Sequence, residues 1–103
     1  MTKLANNLRP IHPGEMLRED ILPGANLSVS AAAKRLGVSR QMLNDIVCEK
    51  RPLSAAMCLR IAKLFGSTPD FWMRLQATYD LKKAAADKAI AKSISRIEPV
   101  SVP

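Results

Sequence analysis

Residues 39–51 gather the side chains best suited to reading a nucleic acid: Ser39, Arg40, Gln41, Asn44, Lys50 and Arg51. Arginine pairs bidentately with guanine, and glutamine or asparagine with adenine, on base edges in the major groove. The Ser39 hydroxyl and the Lys50 and Arg51 cations suit phosphate oxygens, which position a protein on DNA without specifying sequence. Leu43, Ile46 and Val47 recur at i, i+3 and i+4 and claim the inner face of a short helix. Arg40, Gln41, Asn44 and Asp45 are thereby left on faces turned from the core. Asp45 would repel phosphate, so it either accepts from a cytosine amino group or pairs with a neighbouring arginine.

The elements that must hold these residues follow from local signals. Ser28 is a good N-cap and is counted with the DNA-contacting set. Val29, Ala32, Ala33 and Leu36 form one apolar stripe, and Gly37 follows where a left-handed residue closes a helix. Ser39 caps the next helix within a few residues. Two amphipathic helices joined by Leu36-Gly37-Val38-Ser39 have the sequence form of a helix-turn-helix, which presents the positive N-terminal end of its second helix to a groove. Upstream, Pro13 opens a short helix through about Ile21, and Leu22-Pro23-Gly24-Ala25-Asn26 reads as a loop. Downstream, Lys50-Arg51-Pro52 ends the recognition helix. Ser54 caps a helix with Met57, Ile61, Leu64 and Phe65 inside, Gly66 stops it, and Thr68-Pro69 starts a fifth helix carrying Phe71, Trp72, Leu75 and Tyr79. With no strand alternation anywhere, the fold class is all-α. The expected layout is an N-terminal arm (residues 1–12), a helix-turn-helix domain (13–81) and an Ala/Lys-rich extension (82–103) with room for a C-terminal helix before a frayed tail.

Other chemistry finds little to work with. The 103 residues suffice for one small domain with tails. No Gly-rich phosphate loop, HExxH or nucleophile–base set occurs, so catalysis, metals and cofactors are not expected. His12, the single histidine, lies in a proline-fixed segment and is read as a surface or capping residue. Cys48 and Cys58 lack zinc or disulfide spacing and read as small apolar side chains in a reducing, cytoplasmic setting. No apolar run is long enough to span a membrane, and the N-terminus lacks a signal-peptide core. The net charge of +7 favours an anionic partner. Residues 28–51 carry a surplus of three positive charges, as do those after Leu81, where a solvated helix face is the simpler account.

Several pieces of the chain are similar to one family. Ile11-His12-Pro13-Gly14-Glu15-Met16-Leu17, Leu36-Gly37-Val38-Ser39-Arg40, Arg60-Ile61-Ala62-Lys63-Leu64-Phe65, Pro69-Asp70-Phe71-Trp72-Met73-Arg74-Leu75-Gln76 and Tyr79-Asp80-Leu81 resemble the HigA/VapI branch of the Xre (lambda-repressor-like) helix-turn-helix proteins. The His-Pro-Gly-Glu opening and the Trp…Leu-Gln…Tyr-Asp-Leu ending set that branch apart. The resemblance implies a five-helix DNA-binding domain, a homodimer on double-stranded operator DNA, and the antitoxin of a type II toxin–antitoxin pair. Such an antitoxin neutralises a HigB-like mRNA endonuclease toxin and represses its own operon. It places dimerisation near the fifth helix, so Phe71, Trp72, Leu75 and Tyr79 are divided between core and dimer interface. A toxin would meet either the arm or the extension. The alternatives are a stand-alone Xre-type regulator and a protein-holding module without DNA binding. One departure stands out: Cys48-Glu49 occupies the place of the family's Asn-Gly, removing the glycine that would turn the loop before Lys50.

The base and phosphate roles separate experimentally. Arg40→Ala is expected to cost about 1–3 kcal/mol at one base pair of a cognate site and to relax specificity there, whereas Lys50→Ala should weaken all sequences alike and flatten the salt slope by about one unit. Anisotropy titrations on single-base operator variants distinguish the two, and an Arg40→Ala protein with unchanged operator affinity would refute the docking.

Overall fold

A computed structural model describes residues 9–101. Most of the expected arm, residues 1–8, and the last two residues of the expected tail lie outside the described residues. Six helices and no strand are present among them. Helix α1 joins Pro13–Met16, a widened π turn over Leu17–Ile21 and a last turn Leu22–Gly24. It is followed by α2 (Val29–Leu36), α3 (Arg40–Val47), α4 (Ala55–Phe65), α5 (Pro69–Ala86) and α6 (Lys88–Ile94). None of these helices is long and apolar enough to cross a membrane.

The caps fall where the residue types put them. The hydroxyls of Ser28, Ser39, Ser54 and Thr68 each accept from a backbone N–H in the first turn of the helix that follows, satisfying donors that a helix start leaves open. Gly37 closes α2 at φ 74°, with Gly37 N–H donating to Lys34 O and Val38 N–H to Ala33 O. This is a Schellman end, and it turns the chain directly into α3.

Two expectations need correction. The first helix does not stop at Ile21 but continues through Pro23 to Gly24. A proline inside a regular helix lacks the N–H and collides with the carbonyl one turn back. Here the turn just ahead is widened, with Leu22 N–H reaching Leu17 O, and that geometry absorbs it. The end comes at Asn26, left-handed at φ 56°, with Leu27 N–H donating to Leu22 O. The recognition helix ends at Val47, before the Lys50-Arg51-Pro52 segment. The fifth helix runs past Tyr79 and Leu81 to Ala86, and Asp87 then caps α6.

The core is aliphatic around one large ring. Leu17, Ala32, Leu43, Ile46, Cys58 and Ile61 are essentially sealed from water, and Trp72 is 1% exposed among them. The Trp72 indole N–H finds Ser67 Oγ at 2.7 Å, so its burial leaves no polar atom unpaired. Cys58 belongs to this core, and burial raises its thiol pKa. Cys48 does not share that role and is exposed. Gln76 is buried as well and bridges two segments. Its Oε1 accepts from Leu53 N–H at 2.8 Å, and its amide donates to Asp80 at 3.0 Å. Beyond Gln76 helix α5 buries little more: Leu81 is exposed, as are Ile90 and Ile94 on α6.

Helix α1 meets the recognition helix at backbone distance. A Cβ placed on Gly14 would lie 1.8 Å from the Ile46 carbonyl oxygen, which is backbone and cannot step aside. Gly14→Ala is therefore expected to destabilise the fold by about 3 kcal/mol or more, at the upper end of single-substitution effects. Urea unfolding measures it, and a near-wild-type midpoint would show that the two helices can part without cost.

Candidate nucleic-acid interface

Helix α3 turns Leu43, Ile46 and Val47 into the core, which fixes the rotation of the helix and leaves Arg40 and Gln41 exposed. Asn44 lies one turn beyond Arg40 on the same side and is half-buried. Ser39 Oγ accepts from Met42 N–H at 3.0 Å and keeps its own hydrogen free to donate. Ser28 does the equivalent at the start of α2, accepting from Ala31 N–H at 3.1 Å. Both serines therefore have a demonstrable capping role.

The polar residues of α3 are not equivalent. Arg40 has no ion pair or side-chain hydrogen bond among the described residues and stands beside the helix N-terminus, where aligned peptide dipoles also favour anions. Gln41 Nε2 donates to Asp45 Oδ1 at 2.9 Å, and Arg51 Nη2 lies 3.8 Å from Asp45 Oδ2. Asp45 thus takes the pairing role open to it, with Arg51 as the arginine. Lys50 is exposed with no side-chain partner among the described residues. Met42 is half-buried and packs against the core.

The exit from α3 keeps the turn that the missing glycine would have made. Glu49 itself adopts φ 64°. Glu49 N–H donates to Ile46 O and Lys50 N–H to Asp45 O at 2.8 Å, a second Schellman end built on a residue that pays for its Cβ. Arg18 compensates. Its Nη1 donates to both the Val47 carbonyl and Glu49 Oε2. Glu49 is thereby folded back onto α1. Arg60 treats the other helix of the pair alike, donating to Leu36 O at 2.8 Å. Each helix of the helix-turn-helix has its carbonyl end neutralised by an arginine from elsewhere in the chain.

The start of α1 completes the support. His12 is 3% exposed and caps the helix, its Nδ1 accepting from Gly14 N–H at 2.8 Å. Its ring also meets the Tyr79 ring edge-on at 4.8 Å. Arg9 forms a bidentate pair with the buried Glu15 at 2.9 and 2.8 Å. The capping reading of His12 holds and the surface reading does not. Arg18, Arg60 and Gln76 went unseen in the sequence because their partners are 29, 24 and 23 residues away. Arg60 and Gln76 do fall within pieces of the resemblance, whereas Arg18 lies just beyond one.

On α5, Trp72 is core, so of the four aromatic and aliphatic candidates for a dimer face only Phe71, Leu75 and Tyr79 retain surface. Thr68, Phe71, Arg74, Leu75 and Thr78 line an open groove of about 480 Å³ there.

Known proteins share this arrangement. Residues 17–72 match the helix-turn-helix family HTH_3. Virulence-associated protein I of Dichelobacter nodosus is 44% identical over 96 residues, covering 93% of this chain and 86% of its own. The HTH-type transcriptional regulator YbaQ of Escherichia coli K12 is 32% identical over 93 residues, 90% of this chain and 82% of its own. The structure of Pseudomonas aeruginosa antitoxin HigA with the higBA promoter superposes with a TM-score of 0.83 at 45% identity, covering 90% of this chain and 100% of that one.

Burial lowers the His12 pKa below its ordinary 6.5, against the pull of Glu49 and Asp80, and Nδ1 can accept from Gly14 only when unprotonated. Because the folded value is the lower one, the stability it contributes is complete above the unfolded value and is lost as pH falls through the folded one. Urea midpoints taken from about pH 7.5 to about pH 5 should decline more steeply for the wild type than for His12→Asn, whose amide oxygen caps without titrating. Parallel declines would mean that carboxylates alone set the acid limb.

Proposed function

This chain belongs to the Xre-type HTH_3 helix-turn-helix family, and from that premise we propose that it is a DNA-binding antitoxin. In this reading a homodimer occupies a palindromic operator, represses its own operon and holds a HigB-like mRNA endonuclease toxin inactive in the cytoplasm. Five helices form the DNA-binding unit, and α6 with the segment after it forms an appendage. The protein acts by binding and performs no catalysis.

The observation that carries the reading is the outward N-terminal end of α3. Arg40 stands there unpaired beside an anion-favouring helix terminus, with Gln41 and Asn44 on the same side and the basic Lys50-Arg51 loop at the other end of the helix. Arg40, Gln41 and Asn44 would read bases, while Ser28, Ser39, Lys50 and Arg51 would hold phosphates. Phe71, Leu75 and Tyr79 would supply the dimer contact, about one turn of DNA separating the half-sites. The likeness to HigA on its promoter supports both the DNA and the toxin parts. The likeness to YbaQ favours a second reading, a regulator with no toxin.

Gel-shift titration with the DNA upstream of the chain's own gene tests the first part. Binding should resist scrambled competitor and weaken steeply between about 50 and about 200 mM salt. Binding no tighter than to scrambled DNA would remove autoregulation. Co-expression with the product of the adjacent gene separates the two readings: relief of that product's toxicity supports the antitoxin, and a neighbour that is harmless by itself supports the stand-alone regulator.

A further inference from the structure

Within α3, Arg40–Val47, Asp45 is the one acidic residue. The next acid along the chain, Glu49, is already drawn onto Arg18 at 3.2 Å. A carboxylate on a surface that meets a polyanion opposes binding through its charge. Asp45 is half-buried, and each of its oxygens faces a different group. Oδ1 accepts from Gln41 Nε2 at 2.9 Å, and Oδ2 lies 3.8 Å from Arg51 Nη2. One partner belongs to the base-reading set and the other to the basic loop, so a single carboxylate joins the two kinds of contact.

Neither partner is held as DNA needs it. A bond from Gln41 to a residue one turn further on lays the amide along the helix instead of out toward a base. Reaching an adenine edge means leaving Asp45. The Arg51 contact is too long for a hydrogen bond and acts by charge. Arg51 has no side-chain hydrogen bond among the described residues, so its guanidinium can swing toward a phosphate or toward the carboxylate. Coulomb attraction grows as the separation shrinks. Once Gln41 leaves for a base, Asp45 has only Arg51 to draw in. Once Arg51 leaves for a phosphate, Asp45 has only Gln41 to satisfy it. Arg40 and Lys50 carry no such tie.

We propose that Asp45 is a positioning residue that sets one base contact against one phosphate contact: Gln41 and Arg51 each reach DNA by leaving the carboxylate to the other. The inference rests on the DNA-binding reading given above. It adds to that reading a residue that touches no DNA and makes the Gln41 and Arg51 contacts depend on each other.

Anisotropy titrations of the full chain on the DNA upstream of its own gene test this, with folding checked by circular dichroism and thermal melts. Asp45→Asn keeps the shape and removes the charge. It should bind more tightly, by up to about fivefold near 0.15 M salt, with a salt slope steeper by up to about 0.9, the share of one phosphate contact. Loss of a negative charge would by itself give part of that gain, so the deciding readout is the coupling of Gln41→Ala with Arg51→Ala. With Asp45 present, each single variant removes its own contact and also leaves the carboxylate to hold back the other partner. The double variant should therefore lose less than the product of the two single losses, by about threefold. In an Asp45→Ala background the losses should multiply, and Asp45→Asn takes that place if Asp45→Ala does not fold. Asp45→Asn binding no tighter than the wild type, a single variant without loss, losses that multiply with Asp45 present, or a shortfall that persists without it overturns the proposal. Failure of the wild type to bind operator at all overturns the DNA-binding reading and this inference with it, an outcome distinct from the variant results.

Discussion

The contact on which the arrangement depends is the approach of Gly14 to the Ile46 carbonyl. Side-chain packing usually sets helix axes about 8–10 Å apart and allows some sliding. Where a backbone carbonyl takes the place that a Cβ would fill, there is no side chain to yield and little freedom to slide. Helix α1 therefore acts as a stop for the carboxyl end of α3. With Leu43 and Ile46 sealed on its inner face and Gly37 setting its start, the recognition helix is fixed at both ends and along its length.

Electrostatics reinforces this in one direction. A helix leaves its last carbonyls unpaired and partly negative, and its first N–H groups unpaired and partly positive. Arg18 neutralises the end of α3, and Arg60 that of α2. The serine caps at the amino ends satisfy donors without adding negative charge. The net result is a pair of helices whose negative ends are covered and whose positive ends are not. Glu49, which by charge alone would oppose a phosphate, is drawn onto Arg18 at 3.2 Å. Its left-handed backbone shows that the turn is required strongly enough to be made without glycine.

What the sequence made legible was local. Ser28, Ser39, Ser54 and Thr68 cap because hydroxyl and N–H lie within one turn, and Gly37 and Gly66 stop helices through their own backbone freedom. Those rules act over a few residues and need no tertiary information. The continuation of α1 through Pro23 was hidden because a π turn has no sequence rule of comparable strength. The brace of the recognition helix was hidden for another reason. Arg18 with Val47, Gln76 with Leu53 and His12 with Tyr79 are meetings of distant segments, and nothing in spacing announces them. The resemblance quoted His12 through Glu15, Gln76 and Tyr79 through Leu81, without a reason for them. The structure supplies one for several of them: His12 caps α1 and meets Tyr79, Gly14 abuts the Ile46 carbonyl, and Gln76 holds Leu53 N–H.

The same geometry ranks the base-reading candidates. Arg40 has nothing to give up on meeting a guanine, so the whole of a bidentate contact is available for discrimination. Gln41 must first release Asp45, an exposed hydrogen bond worth about 0.5–1.5 kcal/mol, and an adenine contact gains only the difference. Releasing it would also leave Asp45 with Arg51 alone, so the carboxylate would draw that cation closer just as a phosphate competes for it. Gln41, Asp45 and Arg51 thus form one linked set whose members cannot be optimised separately. In the proposed DNA-binding reading, specificity would concentrate at the Arg40 position and be graded at the Gln41 position by a single carboxylate placed one turn inside the helix.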